Sequence, residues 1–311
     1  VKFRHISAVK SPKLKEIHQY IDKYFRLPAA NSVYSYKTGE SSATCAKRHV
    51  NCFALFKLDI KDFFPSITRS DIEYMYADYL CRLAPYGKKI SERRMRELAR
   101  LIAIVCTRSD TRKTNTVQPV LPIGIVPAST ISNYALYDYD KGMEGVAKKN
   151  GLVYSRYSDN VFISSKKKHI PKELQALAKK RINEYSIDGQ TMPFRCNDHK
   201  ERYSPTWRHQ RVLGAVVNEK MNIPRRRESW LRSALNHMYK DTDALITGIE
   251  SKTLRKPAAK KKLVDLMLRL RVIHGDMSYT HLVAPGKYQK YLSKHQIIRM
   301  MVDEAKEMLE D

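Results

Sequence analysis

Phe56-Lys57-Leu58-Asp59-Ile60-Lys61-Asp62-Phe63-Phe64 decides how this chain is read, and Tyr157-Ser158-Asp159-Asn160-Val161-Phe162 completes the reading. The first stretch closes a short, almost continuous apolar run from Cys52 to Ile60, the pattern of a central strand covered on both faces. The second places a carboxylate in a tight turn. Residues Leu152 to Ser164 read as two strands joined around Ser158-Asp159-Asn160. A carboxylate leaving a buried strand is costly unless it is paired or binds a cation. A hundred residues separate Asp59 from Asp159, so only folding brings them together, and side by side they repel unless a cation bridges them. Taken singly, Asp59 also reads as a helix cap and Asp159 as a turn residue. Taken together, they suit two-metal phosphoryl transfer, in which one ion activates a 3′-hydroxyl and the other steadies the leaving pyrophosphate.

Outward from these stretches, the periodicity predicts a helix over Lys13 to Phe25, with Leu14, Ile17, Ile21 and Tyr24 on one face and Ser11-Pro12 at its start. Ala29 to Ser42 is turn-rich. Helices are predicted over Arg69 to Leu83 and over Ser91 to Val105, the latter with Ser91 as N-cap. Arg108 to Thr116 reads as a basic loop, Ser129 to Met143 as one helix, and Pro171 to Tyr185 as a helix opened by proline. Arg211 to Asn218 reads as a strand, and the chain is mainly helical and basic from Pro224 onward, with Lys256 to Lys262 as a linker-like stretch. Strands and helices interleave without regular alternation, which predicts an α+β core with a helical appendage.

Lys and Arg number 58 against 32 Asp and Glu, a net charge of +26 over 311 residues. So one-sided a balance favours a polyanionic partner, because each basic contact to phosphate releases condensed counterions. Nucleic acid is the expected partner, ahead of an anionic membrane surface. No apolar run is long enough to span a membrane, and no signal-peptide pattern opens the chain. Residue 1 is Val, so the reading allows for sequence ahead of it. The five cysteines, Cys45, Cys52, Cys81, Cys106 and Cys196, lack Cys-x-x-Cys spacing, which argues against a disulfide framework or structural zinc and for a reducing cytoplasmic setting.

Five segments, in order and over nearly the whole chain, resemble bacterial reverse transcriptases of the retron and group II intron type. Leu58 to Ile67 resembles motif A, and Leu121-Pro122-x-Gly124 with Ser132-Asn133 resembles motif B. Tyr157-Ser158-Asp159-Asn160 resembles the Tyr-x-Asp-Asp turn of motif C, and Phe194-x-x-Asn197-x-x-Lys200 resembles motif D. Val212-Leu213-Gly214 with Asn222-Ile223-Pro224 is similar to the primer-gripping segment before the thumb. The resemblance implies an RNA-directed DNA polymerase with the right-hand polymerase fold. Residues 1–50 and 69–120 would form fingers interleaved with a palm of antiparallel sheet and packed helices over 51–68 and 121–222, followed by a helical thumb over 223–311.

It also implies roles. Two Mg²⁺ ions, with Mn²⁺ as an alternative, would be held by Asp59, Asp159 and the Ile60 backbone, and Asn160 would complete the catalytic turn. The backbone amides of Lys61, Asp62 and Phe63 would meet the dNTP triphosphate. Phe64 would exclude a 2′-hydroxyl, with core packing as its plainer reading, and the motif B segment, including Gly124, would pack on the nucleotide and templating base. Lys200 would protonate the leaving pyrophosphate or else be a solvated surface lysine. Tyr157, Ser158, Val212, Leu213 and Gly214 would contact primer or template, and Arg4 would reach the triphosphate.

Within the family the chain resembles the retron branch, through Val212-Leu213-Gly214, Cys45-Ala46-Lys47-Arg48-His49 and Gly275-Asp276-Met277-Ser278-Tyr279. That implies a structured non-coding RNA and its cDNA product as partners, and antiphage defence beside a separate effector protein. Asn160 stands where the family has a second Asp, Leu213 where it has Thr. Ile123 and Val126-Pro127-Ala128 stand where Gln and Pro-Thr-Ser are usual. Asn keeps the size and an acceptor but loses a full charge, so the expectation is retained activity, slower or altered in its metal dependence. Two other readings stay open: a catalytically dead RNA-binding scaffold, and an abortive-infection reverse transcriptase making untemplated DNA.

Overall fold

Alternation along the central strand explains the architecture of the computed structural model, which describes residues 7–83, 91–109, 119–187 and 190–310. The chain divides into two compact units at Gln210 and Arg211. In the first, α1 (Pro12–Tyr24) and α2 (Ser42–Lys47) precede β1 (Ala54–Asp59), and α3 (Arg69–Leu83) and α4 (Glu92–Val105) follow it. Then come β2 (Arg108–Ser109), β3 (Pro119–Val120), α5 (Ala128–Tyr134), α6 (Tyr137–Asn150), β4 (Leu152–Tyr157) and β5 (Asn160–Ser165). The unit ends with α7 (Lys172–Asn183), β6 (Ser186–Ile187), β7 (Gln190–Thr191) and β8 (Arg202–Pro205).

Four of these strands form an antiparallel sheet in the order β4-β5-β1-β8. Because side chains alternate, Phe56 and Leu58 share a face with their partners Ile163 and Val161 and, one strand further, with Tyr154 and Arg156. That face packs on α6, where Tyr139 and Asp140 meet Tyr154 and Arg156. Lys57 and Asp59 share the other face with Phe162 and Asn160. This is the α+β class expected of a right-hand polymerase, with β1 buried on both faces.

The second unit opens with β9 (Arg211–Val212) and β10 (Ala215–Val216) and continues as three helices, α8 (Arg225–Glu250), α9 (Lys256–Val283) and α10 (Pro285–Glu310). Buried positions on α10 fall at Tyr291, His295, Ile298, Val302, Ala305 and Leu309, a three-four spacing. Leu231, Leu235, Met238, Thr242 and Leu245 repeat it on α8. Each helix packs on the other two, and this periodicity is the seam expected of a left-handed bundle.

Several sequence expectations need correction. The helix α1 buries His18 and Ile21, while Ile17 and Tyr24 are exposed, because the His18 ring anchors it through Nε2 at 2.8 Å from the Val105 carbonyl oxygen. Ser91 sits at the N-cap of α4 without a side-chain cap bond. The helix expected over Ser129 to Met143 breaks between α5 and α6, where the Asn133 carbonyl oxygen accepts from Arg156 Nη2 at 3.0 Å and Leu136 turns out of helical conformation. Arg211 to Asn218 is a hairpin, because Leu213 and Gly214 both take positive φ. Lys256 to Lys262 is the first part of α9, with Ala259 buried and the lysines on its outer side.

Candidate active site

Asp59 ends β1 and pairs across the sheet with Asn160, the first residue of β5. Tyr157 pairs with Asn160 in turn, so the loop between β4 and β5 holds two residues, and the first, Ser158, has φ +56. A positive φ at the first loop position is the type II′ pattern, whose twist suits a hairpin. The turn delivers Asp159 beside Asp59: the Ile60 N–H donates to the Asp159 carbonyl oxygen at 2.8 Å. Two residues a hundred apart in the chain, Asp59 at the end of β1 and Asp159 in the β4–β5 turn, are thus brought together.

Asp59 is only 4% exposed. Its partners come from the segment after β7. Phe194 is buried against Phe63 with ring centroids 5.5 Å apart, which fixes the start of that segment. Asn197 then donates its N–H to the Asp59 carbonyl oxygen at 2.7 Å, and Lys200 Nζ lies 2.8 and 3.0 Å from the two Asp59 carboxylate oxygens. Lys200 is exposed, and its ammonium pairs with this carboxylate. Asn160 donates from Nδ2 to Asp159 Oδ1 at 2.7 Å, so the residue that lacks the second charge orients the first. Lys57, two residues before Asp59 on the same face, was not singled out by the sequence. Burial pulls its ammonium below the ordinary value, and Asp59 and Asp159 oppose that shift.

Around the pair, Phe63 is buried and Phe64 half-buried, with rings 5.8 Å apart. Asp62 has φ +46 and Phe63 follows in right-handed conformation, the alternation of an amide nest. The Lys61 amide is not available to that nest, since it donates to the Arg195 carbonyl oxygen at 2.8 Å. Gly124 is exposed with φ +112, whereas Ser132 and Asn133 are buried. Tyr157 is half-buried, and burial raises its phenol, with Tyr36 nearby adding to the shift. Sequence reasoning missed Tyr36, which meets the Phe64 ring edge-on at 6.5 Å and places its hydroxyl 3.4 Å from Ser158 Oγ. Its φ of +58, rare for a tyrosine, is visible only in the folded chain. Val212, Leu213 and Gly214 lie in the second unit, and Arg4 lies outside the described residues.

The segment Cys45 to His49 braces the hairpin rather than touching the carboxylates. The His49 ring is fully buried, with Nδ1 2.7 Å from Ser164 Oγ on β5 and Nε2 2.6 Å from Ser155 Oγ on β4. Burial depresses its pKa to about 3, so it stays neutral. Cys45 Sγ lies 3.4 Å from the same Ser155 hydroxyl.

Two carboxylates and main-chain carbonyls are hard oxygen donors of the kind Mg²⁺ takes. Among the described residues, no group of three or more His, Cys, Asp or Glu is placed to hold a metal. An ion at this site would be held by the Asp59 and Asp159 carboxylates, with water and substrate phosphate completing its shell in the manner usual for Mg²⁺.

A carboxylate pair at the hairpin end of an antiparallel sheet, with a lysine delivered by the following segment, is the site layout expected of a polymerase palm. Among curated proteins the chain is similar to retron reverse transcriptases. It is 27% identical to the Retron Mx65 reverse transcriptase of Myxococcus xanthus, over 70% of this chain and 48% of the relative. It is 27% identical to the Retron Ec73 reverse transcriptase of Escherichia coli, over 57% and 54%. With the Retron Mx162 reverse transcriptase of Myxococcus xanthus the identity is 25% over 94% and 57%. The chain thus spans about half the length of these relatives. No protein-family profile matches it. Among solved structures, telomerase from Candida albicans with a TWJ fragment of telomeric RNA aligns at a TM-score of 0.42 and 10% identity, over 96% of this chain and 53% of that one. No helix among the described residues is long and apolar enough to cross a membrane, and all five cysteines are free.

Proposed function

We propose that this chain is the RNA-directed DNA polymerase of a retron, copying part of a cognate structured RNA into RNA-linked single-stranded DNA. The observation that carries this reading is the meeting of Asp59 and Asp159 across β1 and β5 with Lys200 on Asp59. In each step the primer hydroxyl oxygen forms a bond to the α-phosphorus of a dNTP and the bond to the pyrophosphate oxygen breaks. Mg²⁺ held by Asp59, Asp159 and the Ile60 carbonyl would supply activation of the hydroxyl and neutralisation of the leaving charge. Lys200 is the proton donor to pyrophosphate, and Phe64, half-buried beside Tyr36, selects the deoxyribose. The Asp62 and Phe63 amides receive the triphosphate. Tyr157 and Ser158 contact the primer end.

On this reading the first unit supplies fingers and palm and the bundle is the thumb, whose basic helices suit a structured RNA through phosphate and 2′-hydroxyl contacts. The setting is a reducing cytoplasm, and the biology is antiphage defence with a separate effector. The test is primer extension by protein purified with its own RNA, Mg²⁺ and dNTPs, followed by sequencing of the product. Templated cDNA matching the bound RNA is expected, and Asp159→Asn abolishes it; untemplated product points instead to the abortive-infection class. A second reading, an RNA-holding scaffold, is favoured by the charge missing at Asn160. It predicts RNA binding without nucleotide incorporation in either Mg²⁺ or Mn²⁺.

A further inference from the structure

The turn that carries Asp159 is held by a buried polar network that the resemblance does not account for. Arg156 on β4 is fully buried, and all five of its N–H donors find acceptors. Nε and Nη2 engage the Asp140 carboxylate at 2.9 and 2.7 Å, and Nη2 also reaches the Asn133 carbonyl oxygen at 3.0 Å. Nη1 donates to the Ser158 carbonyl oxygen at 3.0 Å and lies 3.5 Å from Asn133 Oδ1. From the other side, Ser35 Oγ accepts the Ser158 N–H at 2.9 Å and donates to Asn133 Oδ1 at 3.1 Å. Asn133 Nδ2 closes the circuit on the Ser35 carbonyl oxygen at 2.9 Å.

Both backbone polar groups of Ser158 are thus taken by buried side chains, one from the 32–36 segment and one from β4. Ser158 needs this. Its φ of +56 is a left-handed conformation that costs a non-glycine residue about 1–2 kcal/mol. Residues held in such conformations persist only when their surroundings over-determine them. A buried ion pair is moreover a poor source of net stability compared with apolar packing. The outlay makes sense for position: the residue after Ser158 is Asp159.

We infer that Ser35, Asn133, Arg156 and Asp140 act together as positioning residues that fix the Asp159 carboxylate for ion binding through the Ser158 backbone. The inference rests on the proposed polymerase site and adds to it residues that touch neither substrate nor ion.

The mildest probe is Ser35→Ala, which removes one hydroxyl and leaves the Arg156–Asp140 pair intact. Ser35→Thr, which restores the hydroxyl, is the control. Ion binding is read by titrating Mn²⁺ and following its electron paramagnetic resonance, with Asp159→Asn protein bound to the same RNA as the blank for ions held by the RNA. Primer extension is followed against Mg²⁺ concentration on the same RNA-bound protein. Groups that orient metal ligands typically contribute 10–100-fold to affinity or activity. Ser35→Ala is therefore expected to weaken Mn²⁺ binding and raise the half-saturating Mg²⁺ concentration about 10-fold, with the RNA still bound, and Ser35→Thr to recover both. A folded Ser35→Ala protein with Mn²⁺ affinity within twofold of the parent overturns the inference. If the parent binds Mn²⁺ but extends no primer, the polymerase reading fails while the ion-binding comparison still decides the role of the network.

Discussion

Two tight hairpin turns, one in each unit, force a non-glycine residue to positive φ, and they are held in different ways. Ser158, at +56°, has both its N–H and its carbonyl oxygen fixed by fully buried side chains. Leu213, at +50°, is followed by Gly214 at +92°, the two positive values of a type I′ turn. Its carbonyl oxygen accepts the Tyr279 hydroxyl at 3.2 Å, and the Arg227 guanidinium lies 3.9 Å from the Tyr279 ring centroid and pairs with Asp276. A methyl group on Gly214 would meet the Tyr279 hydroxyl at 2.9 Å and displace it, and the φ of +92 itself favours glycine. The comparison teaches that similar strain can be met by a buried network or by a partly exposed stack. The network is found where a carboxylate must be aimed.

The largest effect that tests this contrast is expected from Arg156→Met, which leaves Asp140 buried without its partner. A loss of about 3–5 kcal/mol is expected in urea unfolding. The double variant Arg156→Met, Asp140→Leu should recover the part of that loss due to the unpaired carboxylate, because an apolar pair of similar volume often matches a buried ion pair. The part due to the Ser158 and Asn133 carbonyl oxygens that Arg156 served should remain. Primer extension should stay low in the double variant. Recovery of stability and activity together would mean that the network serves the fold alone.

The carboxylate hairpin was legible in the sequence because apolar strands flank a polar turn, and period-two alternation survives burial. Arg156 was not legible, since a lone basic residue within a strand reads as an outward position and nothing local announces an aspartate on α6. The buried bonds of Asn133 were not legible for the same reason: its partners Ser35 and Arg156 are distant in sequence. At the break between α5 and α6 the Asn133 carbonyl oxygen accepts from the distant Arg156, a contact invisible locally. In the bundle, by contrast, the heptad spacing is local, and only the lysine-rich start of α9 misled. Its charges form a solvated helix face rather than a linker.

A smaller effect is expected from pH. His49 is buried with both nitrogens on serine hydroxyls, and its folded pKa near 3 lies below the ordinary value of about 6.5. The unfolded chain therefore takes up the proton first. The contribution is whole above pH 6.5 and is lost progressively as pH falls toward 3, about 1 kcal/mol of it between pH 6.5 and 5.5. In His49→Gln the stability curve should be flatter over that interval by this amount, as read by urea unfolding at each pH. His295, in the bundle, is also pushed down, by burial first and then by His274 and Arg299, so a residual slope of the same sign is expected.

The smallest expected change is a gain, and it bears on the second turn. Leucine is a poor residue for φ +50, whereas asparagine tolerates the left-handed region and is favoured at the first position of a type I′ loop. Leu213→Asn keeps the backbone carbonyl that Tyr279 holds, so the stack is undisturbed. A gain of about 0.5–1 kcal/mol is expected in thermal or urea unfolding. If stability falls instead, the half-buried leucine side chain contributes more by packing than its conformation costs. The two turns would then be alike in being over-determined, and the contrast between them would lie only in which groups supply the restraint.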